Sequence, residues 1–156
     1  WTTSRATVHN LTITNTHTYY VTAGATPVLV HNCGEAIVHL DPDAKHASIT
    51  IKDGDEVLHT EQFGGENIPV NGVAEFDPAT LSPHTIHVRI HLPNPQAAMA
   101  YAEVMIEKTR RGEYPDYDLQ TQSCVTYCAQ VLRAGGVSDI PTETMPATRW
   151  LIRKHG

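Results

Sequence analysis

Cys124 begins the run Cys124-Val125-Thr126-Tyr127-Cys128-Ala129-Gln130-Val131-Leu132-Arg133, in which Cys124, Tyr127, Cys128, Val131 and Leu132 recur at helical spacing. Ala134-Gly135-Gly136 follows with the left-handed stop that such a helix wants. A thiol is therefore expected at the N-terminus of a half-buried helix, where the macrodipole and the free N–H groups favour the thiolate. That is a place for a nucleophile. The same spacing also suits a small apolar residue on a core stripe, and the helix alone leaves both readings open. Cys128, one turn along, reads as core.

A thiol nucleophile needs a base, and a base needs an orienting partner. His46, Ser48, His59 and Glu61 fall in two alternating runs, Lys45–Ile51 and Glu56–Glu61, joined through Lys52-Asp53-Gly54-Asp55. Asp-Gly between alternating runs predicts a hairpin centred on Asp53 and Gly54. Counting outward pairs Lys52 with Asp55, Thr50 with Val57, Ser48 with His59 and His46 with Glu61. His46, Ser48, His59 and Glu61 then share one sheet face, and Ala47, Ile49, Ile51 and Leu58 pack on the other. An imidazole taking a thiol proton, a polar group holding the ring, and a helix N-terminus offering N–H groups to an oxyanion are the parts of an acyl-transfer site.

The other elements frame these residues. Ala36–Leu40, Val73–Phe76 and Ile86–Leu92 read as strands, with Asp41-Pro42-Asp43 as a turn and Phe63-Gly64-Gly65 as a loop. His84, His87 and His91 invite a metal reading, but His87, Arg89 and His91 alternate with Ile86, Val88, Ile90 and Leu92 as a solvated strand face does. Asn94-Pro95 starts a helix with Ala97, Ala98, Tyr101, Val104 and Met105 along one side, ended by Lys108, Arg110, Arg111 and Gly112. After Gly136 a loop punctuated by Pro141 and Pro146 leads to a short helix holding Trp150, Leu151 and Ile152. Strands first and helices after them predict an α+β fold, an antiparallel sheet packed against helices.

The composition narrows the function. The formal net charge is −6, which disfavours a nucleic-acid-binding surface. The three cysteines lack the paired spacing of a zinc site or disulfide framework, and no metal or organic cofactor is expected. No apolar run approaches the roughly 20 residues that cross a bilayer, and no signal peptide opens the chain, so a soluble protein is expected.

Residues 1–33 differ from the rest, containing Arg5 and no acid. They read as short β segments, Thr7–Ile13, Thr18–Val21 and Val28–Val30, and the domain boundary is placed at Cys33-Gly34, giving domains 1–33 and 34–156. His31-Asn32-Cys33 has its own chemistry. The Asn32 amide can attack its own backbone carbonyl, forming a succinimide and breaking the Asn32–Cys33 bond, while His31 polarises that carbonyl or protonates the leaving amine. A passive linker is the other reading. At Val8–Thr12, Thr16–Val21 and Pro27–Cys33 the segment closely resembles the C-terminal end of the intein-like Hint modules that precede the toxin domain in bacterial polymorphic toxins, Rhs-type proteins among them. That resemblance implies a remnant of an autoprocessing module, with His17 supporting cleavage at Asn32.

His46-Ala47-Ser48-Ile49, His59 and Ser123-Cys124-Val125-Thr126-Tyr127 resemble the circularly permuted papain-like hydrolases, namely the lecithin:retinol acyltransferase-like enzymes and the permuted NlpC-type domains. In these the histidine precedes the cysteine. The resemblance implies a permuted papain-like fold with Cys124 as nucleophile, His46 as base and His59 as third member by spacing. Glu61 is the alternative third member, since the expected register sets it opposite His46. Ser123 departs from the Asn usual in the acyltransferase-like group. Together the two resemblances imply a toxin released from a larger secreted protein, delivered into a target cell and matched by a cognate immunity protein. Its substrate would be a membrane phospholipid ester, or else an amide in peptidoglycan or protein. A metal-dependent nuclease and a non-catalytic binding domain are the rivals from other classes.

Overall fold

Alternating side chains become strands here, and the 3.6-residue stripes become helices that cover one sheet face. The computed structural model describes residues 18–23, 26–31 and 34–155. The chain divides into two compact units, Trp1–Asn32 and Cys33–Gly156. In the first, β1 (Thr18–Ala23) and β2 (Thr26–His31) form an antiparallel pair with Thr18 opposite His31. The expected strand at 7–13, and His17, Asn32 and Cys33, lie outside the described residues.

The second unit is α+β. Its strands are β3 (Gly34–Asp41), β4 (His46–Asp53), β5 (Glu56–Phe63), β6 (Gly72–Glu75) and β7 (Ile86–Leu92). They form one antiparallel sheet in the order β6-β5-β4-β3-β7. Three helices follow, α1 (Pro95–Arg110), α2 (Cys124–Ala134) and α3 (Thr144–His155). Ala36, Val38, Ile49, Ile51, Val88 and Leu92 meet Ala98, Ala102, Tyr127, Leu132 and Leu151 in one core. Each large apolar side chain removed from water there contributes about 1.5–3 kcal/mol.

Three details depart from the sequence expectations. The β4–β5 turn is centred on Gly54 and Asp55, one residue later than expected, so Lys52 faces Val57, Thr50 faces His59 and Ser48 faces Glu61. A two-residue hairpin loop requires positive φ at its first central residue, and Gly54 supplies it with φ 59°. The pairing is shifted by two residues, and because side chains alternate with period two, the expected faces survive the shift. In α1 the buried stripe is Pro95, Ala98, Met99, Ala102 and Ile106, while Val104 is exposed. The small Ala98 and Ala102 let the helix approach the sheet, which turns Val104 outward. Finally, α3 begins at Thr144, so Met145 and Pro146 belong to its first turn, where proline costs no hydrogen bond.

Candidate active site

Cys124 is the first residue of α2, and the local sequence determines why the helix begins there. Ser123 is the N-cap in a capping box: its Oγ accepts from Thr126 N–H at 3.4 Å, and Thr126 Oγ1 accepts from Ser123 N–H at 2.7 Å. Ser123 Oγ also lies 2.6 Å from Thr144 Oγ1, which in turn donates to the Leu119 carbonyl at 2.5 Å. Ser123 thus caps the helix start at Thr126. Deeper along α2, the buried Tyr127 hydroxyl is 2.7 Å from Thr60 Oγ1 on β5, so the helix is pinned to the sheet one turn beyond the thiol.

His46 is the first residue of β4. The turn before it is held by Asp41, whose Oδ1 accepts from the Asp43 and Ala44 N–H groups at 2.9 and 3.0 Å. Lys45 adopts the left-handed φ of 51°, uncommon for a residue with a Cβ, and feeds the chain into the strand. His46 Nε2 lies 2.9 Å from Glu61 Oε2 on β5. With Nε2 donating to this carboxylate, Nδ1 is the ring nitrogen left for the thiol.

The two groups shift each other. Burial pushes the Cys124 thiol up, but hydrogen bonding to His46, the imidazolium charge, and the backbone N–H groups of Ala47 and Val125 bring it below its ordinary value. His46 is raised, first by its hydrogen bond to Cys124 against the opposing effect of burial, then by the thiolate charge and by Glu61. Opposite shifts of this kind favour a thiolate–imidazolium pair. Cys128 behaves otherwise: complete burial pushes its thiol well above the ordinary value, and it is core. Thr126 N–H is taken by Ser123 and Val125 N–H faces the thiolate, which leaves the Cys124 N–H without a bond among the described residues.

His59 does not reach His46. Its Nδ1 lies 2.7 Å from Thr50 Oγ1, and the same hydroxyl is 2.8 Å from Nε2 of the buried His39. His39 Nδ1 continues to His87 Nδ1 at 2.7 Å, and Phe76 packs edge-on against His39 and His59. The register sets His59, the expected third member, opposite Thr50 and too far along the hairpin from the start of β4 to bond His46. Glu61, opposite Ser48, reaches His46 diagonally. His84 bonds Asp43 instead, and His91 is exposed. Among the described residues no group of three or more His, Cys, Asp or Glu side chains is placed to hold a metal ion.

One cleft reaches His46 and a second lies on the Tyr117 side, and neither was legible in the sequence because segments far apart build each one. An apolar cleft of about 320 Å³ beside His46 is lined by Leu40, Pro42, Ala47, Ile86, Val125 and Ile152 among others. A more polar cleft of about 600 Å³ lies between residues 65–71 and Tyr114, Asp116 and Tyr117. Tyr117 is near enough to Cys124 that the thiolate, after burial, raises its hydroxyl pKa. No family model matches the chain, no curated protein matches it, and no solved structure matches it.

Proposed function

We propose that residues 34–156 are a permuted papain-like cysteine enzyme that transfers acyl groups from membrane phospholipid esters to water or another acceptor. The observation that carries this is the linked set of Cys124 at the α2 N-terminus, His46 beside it, and Glu61 holding the far nitrogen of His46 at 2.9 Å. The thiolate adds to the ester carbonyl, and the electron pair moves to oxygen, where the free Cys124 N–H and the helix N-terminus stabilise it. Collapse expels the alkoxide, which takes the His46 proton and leaves as an alcohol. Water or an acceptor hydroxyl then gives its proton to His46 and attacks the thioester, restoring the thiolate. Glu61 stabilises the imidazolium throughout. The apolar cleft beside His46 suits an aliphatic chain, which favours a lipid ester.

A second reading, an amidase acting on peptidoglycan or a protein side chain, is favoured by the polar cleft on the Tyr117 side. In either case the chain is proposed as the toxin region of a polymorphic toxin, released at Asn32-Cys33, delivered into a target cell and restrained by an immunity protein. The support for that context is the resemblance of residues 8–33 to a Hint terminus.

Inducible expression of the chain in bacteria, directed to cytoplasm or periplasm beside Cys124→Ala, tests the chemistry. Toxicity from wild type alone, with phospholipids converted to lysolipids or acyl-shifted products, is the expected result. Intact lipids with altered muropeptides would favour the amidase. Equal toxicity from Cys124→Ala would remove the thiol mechanism.

A further inference from the structure

A chain with net charge −6 should pair its cations, and most are paired. Lys52, Arg89, Arg110, Arg111 and Lys154 lie against carboxylates, and Arg133 against the Ser138 and Ile140 carbonyls. Among the described residues Lys45, Lys108, Arg149 and Arg153 have no carboxylate partner. Three of these four flank one place. Lys45 lines the apolar cleft beside His46, as does Ile152 of α3. Arg149 and Arg153 are exposed on α3, within one turn of Ile152.

Exposed apolar side chains lie along α3 and in the loop bonded to its start. Leu119 is 60 % exposed, Met145 61 % and Ile152 55 %. Met145, Arg149 and Ile152 recur at i, i+4 and i+7, so they share one face of α3. Leu119 and Met145 are tied to the nucleophile's helix, since Thr144 Oγ1 bonds both the Leu119 carbonyl and Ser123 Oγ. Asp41 and Asp43 share the Lys45 turn, but Asp41 is engaged by the turn N–H groups and Asp43 by Ser82 and His84, so the apolar tips and the cations without carboxylate partners fit one surface. Anionic headgroups would meet Lys45, Arg149 and Arg153 while Leu119, Met145 and Ile152 enter the acyl boundary.

We propose that this face, formed by the Leu119 loop, α3 and the Lys45 turn, docks the enzyme on an anionic phospholipid bilayer with the mouth of the apolar cleft against the lipid. The assignment rests on the lipid-ester reading above and adds the orientation in which substrate is met. It also accounts for exposed apolar side chains on a face that includes the site entrance.

The full chain carrying Cys124→Ala is sedimented with vesicles of equal parts phosphatidylglycerol and phosphatidylcholine, and with vesicles of phosphatidylcholine alone. Binding is expected to the anionic vesicles and to weaken with salt. Arg149→Gln in that background should bind about five-fold less, as expected for one basic residue at an anionic surface. Met145→Asp should bind roughly ten-fold less or worse. Hydrolysis of a soluble short-chain ester by otherwise wild-type Met145→Asp should stay unchanged, which shows that the variant folds. Equal binding to both vesicle types, or binding untouched by both substitutions, would overturn the docking face. Failure of wild type to exceed Cys124→Ala on the soluble ester would instead overturn the acyl-transfer reading, because vesicle binding is scored on the inactive chain.

Discussion

Removing the Glu61 carboxylate should weaken the thiolate at Cys124, although the two residues share no bond. His46 Nε2 donates to Glu61 Oε2 at 2.9 Å, and the side chains are 29 % and 30 % exposed. A hydrogen bond to a charged group contributes about 1.5–3 kcal/mol, and partial solvation argues for the lower end. About 1.5 kcal/mol corresponds to roughly ten-fold in the ratio of ion pair to neutral pair. Glu61→Ala should therefore slow alkylation of Cys124 by iodoacetamide by up to about ten-fold near neutral pH, the full factor being reached where the neutral pair outweighs the ion pair. The rate should recover at higher pH as the thiol ionises unaided. His59→Ala should leave the profile within two-fold, roughly the limit of an indirect packing effect, since His59 bonds Thr50. Mass spectrometry of the labelled peptide separates Cys124 from Cys33 and from the buried, unreactive Cys128. A profile moved by His59→Ala and indifferent to Glu61→Ala would refute the assignment of Glu61 as the orienting group.

Two further outcomes concern stability. His39 is lowered from 6.5 to about 4, by burial first and then by His87, His59, Arg89 and Lys52. Below pH 6.5 the unfolded chain takes up a proton there that the folded chain refuses until about pH 4. The contribution is thus full above 6.5 and falls by about 3 kcal/mol as the pH drops to 4. Urea midpoints between pH 7 and 4 should show a shallower loss in His39→Gln, and an unchanged slope would count against the buried neutral imidazole. Thr60→Val strands the buried Tyr127 hydroxyl and should cost about 1–3 kcal/mol, whereas Thr60→Val with Tyr127→Phe should recover most of it. A double variant no more stable than Thr60→Val, measured by urea unfolding, would show that the bond is not what holds α2 to β5.

Local rules carried the sequence reading far where the structure depends on neighbours along the chain. Asn94 caps α1 through Ala97 N–H at 3.1 Å with Pro95 in its first turn, α2 opens at Cys124, and Gly136 takes the positive φ of 95° after its end. Each rests on backbone geometry that a few adjacent residues settle. The α+β class follows in the same way, from alternation in one half of the chain and 3.6-residue stripes in the other. The hairpin is intermediate: Asp53-Gly54 announced a turn, but which residue leads it depended on placing Gly54 where positive φ is needed.

What the amino-acid order determined by itself, then, is the strands and helices from Gly34 onward, the faces of β4 and β5, and a cysteine at a helix start. Tertiary structure alone decided which of Glu61 and His59 bonds His46, because both lie on one face two residues apart and only the register selects which can reach the ring. It also decided the rotation of α1, the His39–His87 contact across β3 and β7, and the apolar cleft that joins Leu40, Ile86, Val125 and Ile152. These depend on distances between segments tens of residues apart, where packing of the whole core, rather than any local propensity, fixes which side chains meet.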